Sequence, residues 1–319
     1  MLRSRIKPSP ASRSGFTLVE LMIVVVIIAI LIALLVPAVQ NSIRRARVAG
    51  VKSEIDQLTS AIGAFKSTHG IEPPSSITLY ETGTVNAASS TGWAVDPYST
   101  GLVRQMWPQF NFAIDHDING DGTVSAPGAI TLTGSECLVF FLGGMTRPPG
   151  AGTTVFSTTG FSKDPTNPFL PIVAGAAREA PLIEFRTDRL FDTDGDHMPE
   201  YKDGLPSQRS PYLYYSSYDG QGYNNAEFIG NPSTSANVTY GLYSPYQQGT
   251  NLTSDPYWKP NSFQIVSPGY DTKYGCGGAY LPTATDPLTT VSTPAAQASL
   301  RAFESDNITN FSQGELKPY

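Results

Sequence analysis

The segment DTDGDHMPEYKD, residues 192–203, has the residue types and the spacing of a cation-binding loop. Its oxygen donors stand at positions 1, 3, 5, 7, 9 and 12 of a twelve-residue loop. They are the side chains of Asp192, Asp194, Asp196, Glu200 and Asp203 and the main-chain carbonyl of Met198. Calcium takes about six to eight oxygen ligands, and alternate residues on a tight turn can supply them. The segment therefore predicts a calcium site, with a solvated acidic turn as the alternative.

This segment resembles EF-hand-like and thrombospondin-repeat calcium loops, with two departures. His197 occupies position 6, where glycine is usual because the backbone there needs a positive φ. Position 12 holds Asp203 in place of the longer glutamate that usually binds through both oxygens. Calcium is the one cofactor that we predict, and we expect no organic cofactor.

A second acidic segment, DHDINGDGTV at residues 115–124, offers a weaker calcium candidate. One register uses Asp117, Asn119, Asp121 and Ser125 as ligands, and the other begins at Asp115. Both registers lack an acid at position 12, so an ordinary turn closed by Asp and Asn side chains is the alternative.

Other kinds of chemistry find little support in the sequence. No spacing of histidine and cysteine suits zinc, and there is no phosphate-binding glycine loop or nucleophile elbow. The formal net charge of −6 argues against nucleic-acid binding, which needs clustered cations. We therefore predict a protein that is not an enzyme. Cys137 and Cys276 could form one disulfide or remain two buried thiols.

The element that must carry these loops begins with an apolar run at residues 16–36, in which Glu20 is the one charged residue. Its 21 residues are enough to span a bilayer as a helix. An ionisable group in such a run costs about 2.5 to 3.5 kcal/mol, so Glu20 needs a partner. A secretory signal would be shorter and without an acid, and a plain membrane anchor leaves Glu20 unexplained.

The helix should continue beyond the apolar run. Apolar residues spaced by three and four predict one buried stripe; they are Val51, Ile55, Leu58, Ile62 and Phe65. Gly70 and the prolines that follow it predict the end of this helix at His69.

The stretch GFTLVELMIVVVIIAILIALLVP, residues 15–37, follows a basic leader and resembles the N-terminal signal of the type IV pilin and pseudopilin superfamily. The resemblance implies that a prepilin peptidase cleaves after Gly15 and methylates the new amino terminus of Phe16. It also implies that Glu20 pairs with the N-terminal amine of a neighbouring subunit in a filament. The chain would then comprise a cleaved leader (1–15), a membrane or filament-core helix (16–36), its amphipathic continuation (37–69) and an extracytoplasmic β-rich head (70–319).

The segment SFQIVSPGYDTKYGCGG, residues 262–278, resembles the end of the major pseudopilin of type II secretion. That resemblance implies a further calcium site formed by Ser267, Asp271 and Asp306. Thr272 replaces the glycine of the family motif, and 34 residues separate Asp271 from Asp306.

The resemblance and the residue pattern together predict an α+β, pilin-like fold. A long N-terminal helix would pack on an antiparallel β-sheet head with large loop insertions. Short apolar or aromatic runs predict strands or a buried helix turn at 136–144, 180–185, 211–218 and 262–266, and residues 135–142 fit a short helix equally well.

The resemblance implies a structural subunit of a type II secretion pseudopilus. It would assemble with its own copies and with other pilins or pseudopilins on an inner-membrane platform. Its N-terminus would lie inside, and its head would lie in the periplasm or at the cell surface. The alternatives are a type IV pilus pilin, serving adhesion, motility or DNA uptake, and a membrane-anchored calcium-dependent binding domain.

Overall fold

The computed structural model describes residues 15–83, 92–124, 128–147, 155–170, 177–224, 227, 244–251, 253–289 and 298–317. The chain divides into two compact units, Met1–Ala46 and Arg47–Tyr319. Helix α1, Leu18–His69, begins in the first unit and ends in the second.

The long N-terminal helix predicted from the sequence is confirmed. Pro37 lies inside α1 and does not end it. In the second unit the predicted stripe is buried, together with Ala61. The helix ends where Gly70 takes a φ of 81° and donates its N–H to the carbonyl of Lys66 at 2.8 Å. Glycine suits this position because a left-handed backbone is costly for most other residues.

Two shorter helices follow. Helix α2, Pro97–Met106, starts at Asp96, whose carboxylate accepts the N–H of Ser99 at 3.0 Å. Helix α3, Gly134–Gly143, is buried almost throughout. Its first turn is fixed by reciprocal bonds between Thr133 and Glu136, a capping box. The run at 136–144 is therefore mainly helical, and the capping box supplies the reason.

The strands form small sheets rather than one large one. The antiparallel pairs are β1 (Ser76–Tyr80) with β2 (Ala129–Thr133), β3 (Thr146–Arg147) with β4 (Ser157–Thr158), and β5 (Leu190–Phe191) with β6 (Glu200–Tyr201). A three-stranded antiparallel sheet has the order β11 (Ile308–Thr309), β9 (Phe263–Ser267), β7 (Leu213–Ser216). Strands β8 (Tyr246–Gln247) and β10 (Gly278–Ala279) pair in parallel.

The α+β architecture, with a helix packed on a sheet-containing head, is confirmed. Of the other three runs, 211–218 contains β7 and 262–266 covers all of β9 except Ser267, whereas 180–185 contains no strand. Two short 3-10 helices, Thr187–Arg189 and Ala298–Glu304, complete the described elements.

Both faces of the three-stranded sheet are covered. Tyr214 and Ile265 pack in the main core together with the stripe of α1 and with α3. Tyr215 and Val266 face the other way, into a second cluster that contains Tyr246. Because side chains alternate across a strand, a sheet buried on both faces requires apolar and aromatic residues at successive positions. The sequence LYYS of β7 meets that requirement.

A carboxylate on α1 is held by groups distant in sequence. Glu54 accepts bonds from both terminal nitrogens of the Arg189 guanidinium, the Nη1 bond being 2.8 Å long. The hydroxyls of Tyr201 and Tyr212 donate to the same carboxylate at 2.9 and 2.6 Å. Only 16% of the Glu54 side chain and 13% of the Arg189 side chain is exposed. We call these four residues the Glu54 cluster.

The Glu54 cluster should contribute strongly to the stability of the head. We predict that Glu54→Ala lowers the free energy of unfolding by about 3 kcal/mol, because it leaves the mostly buried Arg189 without its counter-charge. Denaturant unfolding of the full chain in detergent, followed by tryptophan fluorescence, measures this loss.

The matched control is Asp188→Ala, which breaks an ion pair with Arg186 whose side chains are 63% and 67% exposed. This change should cost less than about 1 kcal/mol. Equal losses for the two variants would contradict the special role of Glu54.

Candidate functional site

The loop between β5 and β6 contains most of the predicted calcium ligands. Main-chain N–H groups of the loop already point at its carboxylates. Asp192 accepts bonds from Gly195 and His197 at 2.7 and 3.0 Å, and Asp196 accepts one from Met198 at 2.7 Å. These bonds hold residues 192–198 in a tight turn.

His197, at the position where calcium loops usually have glycine, adopts a φ of 72°. The backbone therefore takes the left-handed conformation that this position requires, although the residue has a Cβ. The departure seen in the sequence does not change the local path of the chain.

The structure does not bring Asp203 to the other acids of the loop. Its side chain is buried and accepts bonds from the Leu205 N–H at 2.8 Å, the Gln208 side chain at 2.9 Å and the Ser267 hydroxyl at 2.5 Å. Asp203 therefore lies with Gln208 and Ser267, apart from the carboxylates of the loop, and its role as a calcium ligand stays a prediction. The chain continues into β6 after Glu200 and carries Asp203 toward β9 instead.

A residue that sequence spacing missed lies beside the loop. Carboxylate oxygens of Glu136, Asp194 and Asp196 all lie within 4.8 Å of one another. Glu136 is only 6% exposed and comes from the first turn of α3. Glu200 has one buried oxygen, Oε2, with no hydrogen-bond partner among the described residues. In composition, this set of oxygens fits a hard cation.

The second acidic segment adjoins the first. Asp117 accepts the Gly122 N–H at 3.0 Å, and Asn119 accepts the Asp121 N–H at 3.0 Å. The Asn119 side chain also donates to the main-chain carbonyl of Asp196 at 3.3 Å. The segment thus forms the side-chain-closed turn that was its alternative interpretation, and it contacts the first loop. Ser125 lies outside the described residues.

The third predicted group is only partly assembled. Asp306 accepts the N–H groups of Tyr270 and Asp271 at 2.6 and 3.0 Å, and its buried Oδ1 has no partner among the described residues. Ser267 instead donates to Asp203. Thr272, which replaces the family's glycine, has a φ of 63°. A β-branched residue rarely adopts this conformation. The loop nevertheless has the backbone conformation that glycine would favour.

At the other end of the chain, Gly15 and Phe16 precede α1, and the Phe16 side chain is 81% exposed. Glu20 bonds within its own chain. Its carboxylate accepts the Thr17 N–H at 2.9 Å and the Thr17 hydroxyl at 2.8 Å, while its N–H donates to that hydroxyl at 3.2 Å. This is a capping box. The spacing Thr-x-x-Glu before an apolar run could have predicted it.

The rest of this segment presents apolar side chains outward. From Leu18 to Val39 the described side chains are exposed, and most are large aliphatic groups. One helix in the described part of the chain, α1, is long and apolar enough to cross a membrane. An apolar surface of this extent normally contacts lipid or other protein.

Comparison with known families decides the nature of this segment. Residues 10–36 match the prokaryotic N-terminal methylation motif. The chain carries a prepilin-type methylation motif. This finding, with the long apolar helix, is consistent with the type IV pilin and pseudopilin superfamily. No curated protein and no solved structure matches the chain significantly.

The prepilin motif includes Gly15 and indicates how this segment is processed. It implies processing by a prepilin peptidase and assembly with other pilin subunits in a filament. The single apolar helix near the N-terminus fits a membrane-anchored pilin.

The two cysteines of this prepilin-type chain are both free and buried. Cys137 lies in α3 within the main core. Cys276 lies near the C-terminal 3-10 helix, where its N–H donates to Glu304 at 2.9 Å. The structure therefore has two buried thiols and not the disulfide, because the two residues belong to separate parts of the head.

Three acids at the first loop, Glu136, Asp196 and Glu200, have raised pKa values. Burial, with a smaller contribution from the nearby acids, raises the pKa of Glu136 to about 8, although the hydrogen bond from the Thr133 N–H opposes this shift. Burial likewise raises the pKa of Glu200 to about 7 and that of Asp196 to about 6. Without a counter-ion, the folded head binds protons here that the unfolded chain has released.

We predict that, with a chelator present, the head loses stability as the pH rises from about 5 to about 8. A carboxyl group whose pKa is raised on folding stabilises the fold below its unfolded pKa, and this contribution disappears as the pH passes the folded value. Thermal unfolding of the full chain at a series of pH values measures the effect. Glu136→Gln should flatten the curve between pH 7 and 8, whereas the exposed Glu184→Gln should leave it unchanged. A stability that rises over this range would contradict the prediction.

Proposed function

We propose that this chain is a structural subunit of a type II secretion pseudopilus. The prepilin motif and the exposed apolar helix support a filament subunit. The finer assignment is carried by the loop after β9, where Asp306 accepts the N–H groups of Tyr270 and Asp271. The bond from the Asp271 N–H to the Asp306 carboxylate joins two of the three residues singled out by the resemblance to the major pseudopilin, and it supports this assignment. The proposed role is structural and involves no catalysis.

In this proposal the prepilin peptidase cleaves after Gly15 and methylates Phe16. The helix is then stored in the inner membrane with its N-terminus inside and its head in the periplasm. During assembly its apolar surface exchanges lipid for the helices of neighbouring subunits.

Glu20 would supply the register of that assembly. Before assembly the capping box with Thr17 satisfies part of its carboxylate. In the filament we propose that the carboxylate meets the methylated amine of Phe16 on a neighbouring subunit. A carboxylate in an apolar setting is tolerated when a cation faces it, so this pairing favours one axial position.

We predict that mass spectrometry of the native cell finds this protein processed, beginning with methylated Phe16, and confined to washed envelopes. The same processed protein in abundance in sheared surface material would instead indicate a type IV pilus pilin. An intact N-terminus in both fractions would exclude prepilin processing and with it the whole proposal.

Two variants separate the charge of Glu20 from its capping role. Glu20→Gln keeps a side chain that can complete a capping box but removes the charge, so filament assembly should be lost while the helix is retained. Thr17→Val removes the hydroxyl that caps the helix, costs about 1 kcal/mol at its start, and should leave assembly in place. Normal assembly of Glu20→Gln would contradict the register role.

We further propose that calcium binds the loop between β5 and β6. The support is the donor set: Asp192, Asp194 and Asp196 on one turn, Glu200 with an unsatisfied buried oxygen, and Glu136 from α3. These residues would hold the ion, which would offset the mutual repulsion of the carboxylates.

Calcium should therefore stabilise the chelator-treated protein and raise its melting temperature. At a calcium concentration one hundred times its dissociation constant, the free energy of unfolding should increase by about 2.7 kcal/mol. The double variant Asp194→Asn, Asp196→Asn should lose most of this gain. Asp164→Asn, an exposed acid outside the loop, should keep it. If the double variant responds like the native protein, calcium binds elsewhere, and the loop around Asp306 becomes the next candidate.

A further inference from the structure

The segment just beyond the apolar part of α1 carries a concentrated positive charge. Residues 37–53 contain four basic residues and no acid, whereas the whole chain has a net charge of −6. The basic residues are Arg44, Arg45, Arg47 and Lys52. All of them lie on α1, which is continuous from Leu18 to His69. A local concentration of cations in an acidic protein indicates an anionic partner.

The arginines of this segment are accessible from solvent. Arg45 and Arg47 are exposed, and Arg44 is partly exposed. None of the ion pairs within the described part of the chain includes Arg45 or Arg47. Lys52 differs, because its ammonium pairs with Asp56 at 3.1 Å. We call Arg44, Arg45 and Arg47 the arginine belt.

The distance of the belt from the apolar run places it at the surface of a membrane. The 21 residues from 16 to 36 are about 31 Å long as a helix, which fills the hydrocarbon core of a bilayer. Arg44 lies about 12 Å beyond that core, and a headgroup layer is about 5 to 7 Å thick. Side chains of a helix tilt toward its N-terminus, which is here the direction of the membrane. The long arginine stems can therefore bring their guanidinium groups back to the lipid phosphates.

The usual distribution of charge across a membrane does not account for the belt. Lysine and arginine normally accumulate on the cytoplasmic side of a span. In the proposed orientation the belt lies on the opposite side, and cleavage after Gly15 removes the four basic residues of the leader. Residues 16–43 contain no lysine or arginine, so the belt supplies the first cationic side chains of the processed chain. Cations that oppose the orientation of their own span indicate another role.

We propose that the arginine belt binds the headgroups of anionic phospholipids in the outer leaflet of the inner membrane while the subunit is stored there. The inference rests on the membrane storage proposed above, and lipid phosphates are the anions that the membrane itself brings to this level of the helix. Each guanidinium can donate two parallel hydrogen bonds to one phosphate. Assembly into a filament then requires that these contacts be broken.

The test measures the lipid preference of the processed full-length chain in vesicles of phosphatidylcholine. Spin-labelled phosphatidylglycerol or phosphatidylcholine is added in trace amounts, and electron paramagnetic resonance gives the association constant of each label with the protein. We expect phosphatidylglycerol to associate at least about threefold more strongly, because each arginine at a membrane surface attracts anionic lipid. Raising the salt to about 1 M should remove most of this preference, since charges are then screened beyond about 3 Å.

Two variants of the belt test whether its charge is responsible. The glutamine variant carries Arg44→Gln, Arg45→Gln and Arg47→Gln. It should lower the ratio of the two association constants to about one. The lysine variant carries Arg44→Lys, Arg45→Lys and Arg47→Lys. It keeps the charge and should keep the preference, which distinguishes an electrostatic effect from a disturbed helix.

A matched control removes the same number of charges from exposed arginines elsewhere on the head. It carries Arg147→Gln, Arg186→Gln and Arg209→Gln. This control should retain the native ratio, because these residues are not part of the segment that follows the span.

The same ratio in the native chain and the glutamine variant, or no preference in the native chain, would overturn the proposal. A glutamine variant that keeps the lipid preference but no longer assembles would overturn it in favour of an acidic surface on a neighbouring subunit. Loss of the preference in the lysine variant would overturn the role of charge. Failure of the native chain to float with the vesicles would contradict membrane storage and the proposed function, whereas insertion without a lipid preference contradicts this inference alone.

Discussion

The carboxylate of Glu54 fixes the two strands that flank the acidic loop. Arg189 lies immediately before β5, and Tyr201 lies in β6, so the two donors to Glu54 stand on either side of residues 192–199. The Tyr201 N–H also donates to the Ser135 hydroxyl at 2.9 Å, one residue before Glu136 in α3. The position of Glu136 beside the loop therefore follows from a chain of contacts that begins on α1. If Glu54 no longer binds Arg189 and Tyr201, the acidic loop and α3 are no longer held in position through the same contacts.

Buried carboxylates of the head accept hydrogen bonds from donors specific to each of them. Glu304 is fully buried and pairs with Arg301, while its other oxygen accepts the N–H groups of Cys276 and Gly277. Asp203 is held by neutral donors. Such groups cost free energy to bury, but once every oxygen is bonded they specify one arrangement of loops. Among the described carboxylates, Glu72, Asp117, Glu200 and Asp306 each keep one buried oxygen without a hydrogen bond, so the satisfaction of these acids is incomplete.

The features that sequence predicts well here are the local ones. The apolar run, the stripe from Val51 to Phe65 and the stop at Gly70 all depend on residues a few positions apart, and all are found. The capping boxes at Thr17 and Thr133 are equally local and could have been predicted from the Thr-x-x-Glu spacing. The Glu54 cluster could not, because its members are 135 to 158 residues from Glu54. The same reason explains Glu136 and Asp203: spacing predicts neighbours within one segment, whereas tertiary packing brings Glu136 to the loop and holds Asp203 beside Ser267.

The capping box changes how the energetics of Glu20 should be understood. A carboxylate with no partner in an apolar run would gain the whole benefit of an ion pair on assembly. Glu20 instead has two bonds from Thr17 in the single chain, so assembly can gain only the difference between that arrangement and the filament one. A smaller gain makes assembly easier to reverse, while a wrongly placed subunit still leaves the charge without a counter-ion. The local bonds would therefore lower the strength of the proposed register contact more than its selectivity.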